Sequence, residues 1–245
     1  MFEELRNRHG ERIDSTFHPG DRRNAEGELE LVVIGHGVTG NKDRPWAVTL
    51  ADVLAASGYS ALRLSFAGNG ASEGDFRAAT VSKETDDLES VIDALYALDE
   101  KWAVTFAGHS MGGAVGVLAA NRDARIRRLV SLAGMVHTHD FAMRKFGELT
   151  PDVDCMWQIP ECPLSQLYMD DMRTIGSVAE AGAGVRVPWL LIHGTEDTVV
   201  PIDDAHDILE HGRGELVKLE GVDHVFTDAA HEMAAKVVVW LSNTP

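Results

Sequence analysis

Gly108-His109-Ser110-Met111-Gly112-Gly113 follows the apolar run Trp102-Ala103-Val104-Thr105-Phe106-Ala107 and leads into Ala114-Val115-Gly116-Val117-Leu118-Ala119-Ala120. A β-prone run, a sharp turn carrying one serine and a helix of small residues together describe a nucleophile elbow. In such a turn the serine sits in strained backbone between strand and helix. Gly108 and Gly112, two residues to either side, keep side chains out of the crowded approach. The Ser110 hydroxyl then stands exposed above the sheet, and the amide of Met111 faces the place where an oxyanion would form. A bare G-x-S-x-G pattern also describes a tight strand–helix turn with no chemistry; the flanking strand and small-residue helix make the functional reading the more specific one.

Outward from the elbow, strand-like and helix-like segments alternate, which predicts a mostly parallel sheet covered on both faces. Residues 4–19 read as a hairpin turning at His9-Gly10, Leu29–Ile34 as a buried strand, and Pro45–Ser57 as a helix with Asp43 as its cap and Gly58 at its end. Tyr59–Ser65 returns as a strand. Thr80–Leu98 carries Leu88, Val91, Ile92, Leu95 and Leu98 on a helical stripe. Strands follow at Ile126–Leu132, Val187–Ile192 and Glu215–Leu219, with helices at Ile202–Glu210 and near Phe226–Leu241. The alternation breaks over residues 135–186, which hold Pro151, Pro160, Pro163, Cys155 and Cys162. A stretch this long is read as a lid inserted between two strands of one domain spanning 1–245.

A serine hydroxyl needs a base to take its proton, and the base needs an acid to fix its tautomer and stabilise its cation. In an open parallel sheet these groups come from loops at the carboxyl ends of strands. The loop His193-Gly194-Thr195-Glu196-Asp197-Thr198-Val199-Val200-Pro201 offers Asp197 as the acid, with Glu196 the alternative. The loop Glu220-Gly221-Val222-Asp223-His224 offers His224 as the base. His231 falls inside the last helical pattern, and His109 adjoins Ser110 but diverges from it. The turn Gly35-His36-Gly37-Val38-Thr39-Gly40 places the Val38 amide where the Met111 amide also points, so an oxyanion hole of Val38 and Met111 is expected. His137-Thr138-His139-Asp140 lacks the strong metal-ligand spacings, and neither metal nor organic cofactor is expected.

With these segments in this order, the chain resembles the α/β-hydrolase serine esterases. The resemblance rests on His-Gly-Val-Thr-Gly-Asn-Lys (36–42), Ser65-Phe66-Ala67-Gly68-Asn69-Gly70-Ala71-Ser72-Glu73-Gly74, the elbow, His-Gly-Thr-Glu-Asp-Thr-Val-Val-Pro (193–201) and Gly-Val-Asp-His (221–224). It covers the chain apart from residues 135–186. Within that family the chain looks like the small bacterial feruloyl (cinnamoyl) esterases, whose compact lid contributes aromatic and polar contacts to a phenolic ring. The resemblance implies an α/β-hydrolase fold, hydrolysis of short-chain or aryl carboxylic esters, and Tyr168 of Ser165-Gln166-Leu167-Tyr168-Met169 as the ring contact. Those enzymes often carry glutamine after the nucleophile; this chain has Met111, and the oxyanion contact is a backbone one. Trp157, Met156, Phe141, Phe146 and Tyr168 either line an acyl or aryl pocket, with Trp157 a substrate contact, or form the lid's own core. Thioesterase or amidase/peptidase chemistry on the same three groups, and a non-catalytic binding protein on the scaffold, are the alternatives.

The 245 residues carry 39 acidic against 22 basic side chains, a net charge of −17. That argues against nucleic acid and anionic membrane as partners and for a small-molecule ester substrate. Lys42, Arg44, Arg144 and Lys145 form the candidate basic patch for a strongly anionic substrate. Phe2-Glu3-Glu4-Leu5-Arg6-Asn7-Arg8 has no apolar signal core, so a cytoplasmic chain with free thiols is expected. Exposed lid aromatics leave a homodimer open.

Overall fold

The computed structural model describes residues 4–244, so Phe2, Glu3 and both ends of the expected 1–245 domain lie outside the described residues. The chain opens with a hairpin of β1 (Leu5–Arg6) and β2 (Arg12–Ile13) turning at His9-Gly10, where Gly10 takes φ 78°. β3 (Ser15–His18) leaves that hairpin for the main sheet. Its partner there is the antiparallel β5 (Ser60–Leu64), reached through β4 (Leu29–Gly35) and helix α1 (Pro45–Ala56). Helix α2 (Val81–Tyr96) then leads to β6 (Trp102–His109), helix α3 (Met111–Arg122) and β7 (Ile126–Leu132). Helices α4 (Thr138–Phe146), α5 (Gln166–Ile175) and α6 (Ala179–Gly182) lie between β7 and β8 (Trp189–Gly194). Helix α7 (Ile202–His211), β9 (Glu215–Leu219) and helix α8 (Ala230–Asn243) complete the described chain. The seven-stranded sheet runs β3-β5-β4-β6-β7-β8-β9, parallel except at the β3 edge.

Every residue of β4, β5 and β6 is buried, as strands in the middle of a doubly covered sheet must be, including the polar Glu30 and Arg63. The pleat sorts their side chains by parity. Leu31 and Val33 of β4 join one core cluster with Leu88, Ile92 and Val115 from α2 and α3; Val32 and Ile34 join another with Leu50, Met233 and Val237 from α1 and α8. The small residues of α3 let it press onto the sheet: a Cβ on Gly116 would lie 2.7 Å from Leu129 Cδ1 and 2.9 Å from Phe106 Cδ1. Phe106 is fully buried there, and truncation to alanine would cost about 3–5 kcal/mol.

Several local expectations are corrected. Asp43 does not cap α1: Arg44 occupies the N-cap position without a side-chain capping bond, Pro45 begins the helix, and Asp43 pairs instead with Lys42 and Arg63, each at 3.0 Å. The last helix starts at Ala230 rather than Phe226, because Phe226 and Asp228 both take φ 57° and belong to the loop. The stretch 135–186 is more regular than its prolines suggest, holding three helices. Cys155 and Cys162 are unpaired. Cys155 lies opposite Pro163 in an isolated antiparallel bridge. No helix among the described residues is long and apolar enough to cross a membrane.

Candidate active site

Ser110 adopts φ 55° and ψ −119°, a conformation costly for a residue with a Cβ and held here by its surroundings. Its amide donates to Leu132 O (3.0 Å), and its carbonyl accepts from the Gly113 and Met135 amides (2.8 and 2.9 Å). The flanking glycines are sterically required. A Cβ on Gly108 would come within 2.0 Å of Gly112 O, and one on Gly112 within 2.7 Å of His36 O. The hydroxyl has no hydrogen-bond partner among the described residues and lines an open cleft.

The structure brings His224 and Asp197, from the loops after β9 and β8, to the same rim. His224 Nδ1 donates to Asp197 Oδ2 at 2.7 Å, which leaves Nε2 for chemistry in the cleft that Ser110 also lines. The Asp197 side chain is wholly buried and saturated with donors. Oδ1 accepts from the Val199 and Val200 amides (2.8 and 2.9 Å), and His193 Nε2 lies 3.2 Å from Oδ2. Burial alone would raise the Asp197 pKa. The His193 and His224 hydrogen bonds, the His224 charge and the Val200 amide outweigh it and hold the carboxyl below the usual carboxylate range. Glu196, the alternative acid, is exposed and makes none of these bonds; His231 is exposed on α8.

Two further histidines brace this arrangement. The His109 ring lies between Trp46 and His224, with centroids 4.6 and 4.7 Å away, and its Nε2 donates to His224 O at 2.8 Å. Burial, then the positive charge His224 can carry, push its pKa down to about 3, so His109 is neutral. His36 accepts the Phe66 amide on Nε2 (2.9 Å) and donates from Nδ1 to Gly37 O (2.8 Å); burial pushes its pKa down to about 4. This ring sets the turn that presents Val38. The turn abuts the serine so closely that a Cβ on Gly37 would lie 2.6 Å from Ser110 Cβ. Neither the Val38 nor the Met111 amide is spent on another protein group among the described residues. Sequence reasoning left out the bracing roles of His36, His109 and His193. Position alone signalled them, each histidine standing at or next to the carboxyl end of a strand.

The cleft holds about 210 Å³. Val38, Trp46, Phe141, Trp157, Val199 and Val225 supply apolar walls, and Arg44 is its permanently charged lining side chain. Trp157 reaches it from left-handed backbone, φ 48° and ψ 27°, and is 43% exposed. The expectation for Tyr168 is corrected: its ring is fully buried outside the cleft lining, edge-on to Phe146 at 6.0 Å, and its hydroxyl has no hydrogen-bond partner among the described residues. The apolar face of α5 turns it inward with Met172, one helical turn on. The aromatic set therefore divides. Phe141 and Trp157 border the cleft, whereas Met156, Phe146 and Tyr168 pack beneath it.

Comparison with known proteins agrees with this architecture. Over 98% of both chains, the structure superposes on Est1E from Butyrivibrio proteoclasticus with ferulic acid bound, at a TM-score of 0.86 and 22% identity. Alpha/beta hydrolase domain-containing protein 10 from mouse matches over 99% of both chains at a TM-score of 0.76 and 15% identity. The human mitochondrial palmitoyl-protein thioesterase ABHD10 is 26% identical over 167 residues, 63% of this chain; the chain spans about half the length of this curated relative, 53%. The family model described as serine aminopeptidase, S33, matches residues 28–158, a span that contains Val38, Ser110 and Met111 and ends before Asp197. The fold is that of the α/β-hydrolases, and the chain belongs to the family described as serine aminopeptidase, S33.

Proposed function

We propose that the chain is a carboxylic-ester hydrolase that works through an acyl-enzyme on Ser110, with His224 as general base and Asp197 as the acid that orients it. The observation that carries this reading is the 2.7 Å bond from His224 Nδ1 to a saturated, ionised Asp197, in a cleft shared with an unpartnered Ser110 hydroxyl and two unspent amides. His224 Nε2 takes the Ser110 proton as Oγ attacks the acyl carbonyl, and the tetrahedral oxyanion rests on the Val38 and Met111 amides. The imidazolium then protonates the departing alcohol. In the second half His224 activates water, which releases the acid. Asp197 remains anionic throughout, and no step calls for a metal or cofactor.

The cleft's 210 Å³ lies below the roughly 300–1,000 Å³ of drug-sized ligand sites, and its walls are aromatic and aliphatic. Both favour compact acyl or aryl groups of the feruloyl type, with Trp157 and Phe141 rather than Tyr168 against the ring. Residues 135–186, which carry these two side chains, serve as the lid over the site. A thioester reading on the same groups is favoured by the curated relatives, which are palmitoyl-protein thioesterases. The test is kcat/KM across acetyl to octanoyl esters, methyl ferulate and an octanoyl thioester, with Ser110→Ala and a fluorophosphonate mass label. Turnover that is abolished, together with labelling, in Ser110→Ala supports the mechanism. Equal turnover by that variant refutes it, and a thioester preference selects the second reading.

A further inference from the structure

In this strongly acidic chain many cations are neutralised by carboxylates. Lys42, named with Arg44, Arg144 and Lys145 as a candidate patch, is one of these, with Asp43 at 3.0 Å and Asp14 at 3.6 Å. The other three are held differently. Arg44 donates to Thr39 O (2.9 Å), Arg144 to Val199 O (3.0 Å) and Lys145 to Thr198 O (3.0 Å). None has a carboxylate within 4 Å among the described residues. Each spends a donor on a backbone carbonyl, and none is closed into an ion pair, although the Asp197 charge acts on Lys145 from further off.

Their positions are not scattered. Arg44 is part of the cleft wall, and the carbonyl it grips belongs to the residue after Val38, whose amide faces the oxyanion. Arg144 and Lys145, on α4, grip the two residues that follow Asp197, one of which, Val199, also lines the cleft. In sheet order these loops flank Ser110, one after β4 and the other after β8. Cations thus stand on both sides of the nucleophile. Arg144 and Lys145 are like charges on neighbouring residues; burial, then the Arg144 charge, lower the Lys145 pKa against the opposing pull of the Asp197 charge. A guanidinium presents five donors in a planar fork, and Thr39 O takes one of them.

We propose that the ester taken by this cleft carries an oxyanion, a carboxylate or phosphate, close to its reacting carbonyl, and that Arg44 receives that group. Arg144 and Lys145 add attraction from the other side. This rests on the esterase reading above and narrows its substrate class. The apolar walls hold the body of the substrate, and the cationic edge selects those bearing a charge.

The test compares matched neutral and anionic esters in two arms. In the acyl arm, 4-nitrophenyl pentanoate is set against the 4-nitrophenyl half-ester of glutaric acid. In the alcohol arm, phenyl acetate is set against 4-carboxyphenyl acetate. The expected result is an advantage in kcat/KM for the charged member of at least one pair, about tenfold or more at low ionic strength and shrinking as salt is added. Arg44→Gln collapses that ratio, Arg44→Lys keeps part of it, and Arg144→Gln with Lys145→Gln weakens its salt dependence. The arm that shows the preference tells which half of the ester carries the charge. Neutral esters favoured in both arms, or a ratio unmoved by Arg44→Gln, overturns the proposal. Failure of the wild type to hydrolyse any of the four esters defeats the esterase reading itself and this inference with it.

Discussion

Substituting Gly37 by alanine isolates the oxyanion turn from the rest of the site. The added Cβ would lie 2.6 Å from Ser110 Cβ, 3.0 Å from His109 O and 3.1 Å from Ser110 Oγ. Gly37 does not use positive φ, so alanine brings no backbone penalty and the effect is steric. Ordinary contact between such carbons begins at about 3.5–4.0 Å, so turn and serine must part by roughly 1 Å. A hydrogen bond to a developing oxyanion does not survive that separation, because the Val38 amide is the residue next to the intruding methyl. Loss of one such donor costs about 10²–10³ in kcat, or 2.7–4 kcal/mol of transition-state stabilisation. Stopped-flow hydrolysis of a 4-nitrophenyl ester gives the acylation rate, and denaturant unfolding shows whether the fold is intact. A folded Gly37→Ala protein acylating within threefold of wild type would refute the placement of Val38 in the hole.

The stability of the His109 bracing should depend on pH. With its folded pKa near 3, the native ring refuses the proton that the unfolded chain accepts below about 6.5, so this contribution is lost as pH falls through that window. Between pH 7 and pH 5 the loss is about 2 kcal/mol, and a His109→Gln variant does not share it. The urea-unfolding gap between wild type and variant is therefore expected to narrow by that amount at pH 5; a gap independent of pH would contradict the buried neutral ring. At Tyr168, phenylalanine removes a buried hydroxyl that lacks a partner. It should leave turnover of methyl ferulate unchanged and raise stability by up to about 1 kcal/mol in thermal or urea unfolding. A fall in kcat/KM for the aryl ester would instead return Tyr168 to the ring-binding surface.

The sequence is most readable at its strands: Ile126–Leu132, inside the sheet, and Glu215–Leu219, at its half-exposed edge, both appear with the predicted boundaries, and α2 begins just after Thr80, whose hydroxyl accepts from the Lys83 amide. The candidate site was readable because its members follow strand ends in a fixed order, so topology alone brings them to one rim. Where order stops helping, the reading fails. Only the family resemblance points to Tyr168 as a ring contact, whereas its spacing to Met172 marks a buried helical stripe. Ser165, whose hydroxyl accepts from the Tyr168 amide, was an unused signal for α5. Trp157 reaches the cleft through left-handed backbone at a residue that is not glycine, and no pattern of residue types announces that. Asp43 looked like a helix cap until Lys42 and Arg63, the latter distant in sequence, claimed its carboxylate.

The bond from His109 to the main chain of His224 bears on engineering by loop exchange. Residue 109 ends β6 and residue 224 lies in the loop after β9, strands that are not neighbours in the sheet, yet one side chain seats the other's backbone. Grafting a foreign β9 loop into this scaffold therefore transplants half of a joint. A chimera that keeps the host residue at 109 should tolerate the new loop only where the donor protein also offers a small neutral ring there. The practical unit of recombination is the pair, and a crossover library that cuts between them will lose function in clones that fold well.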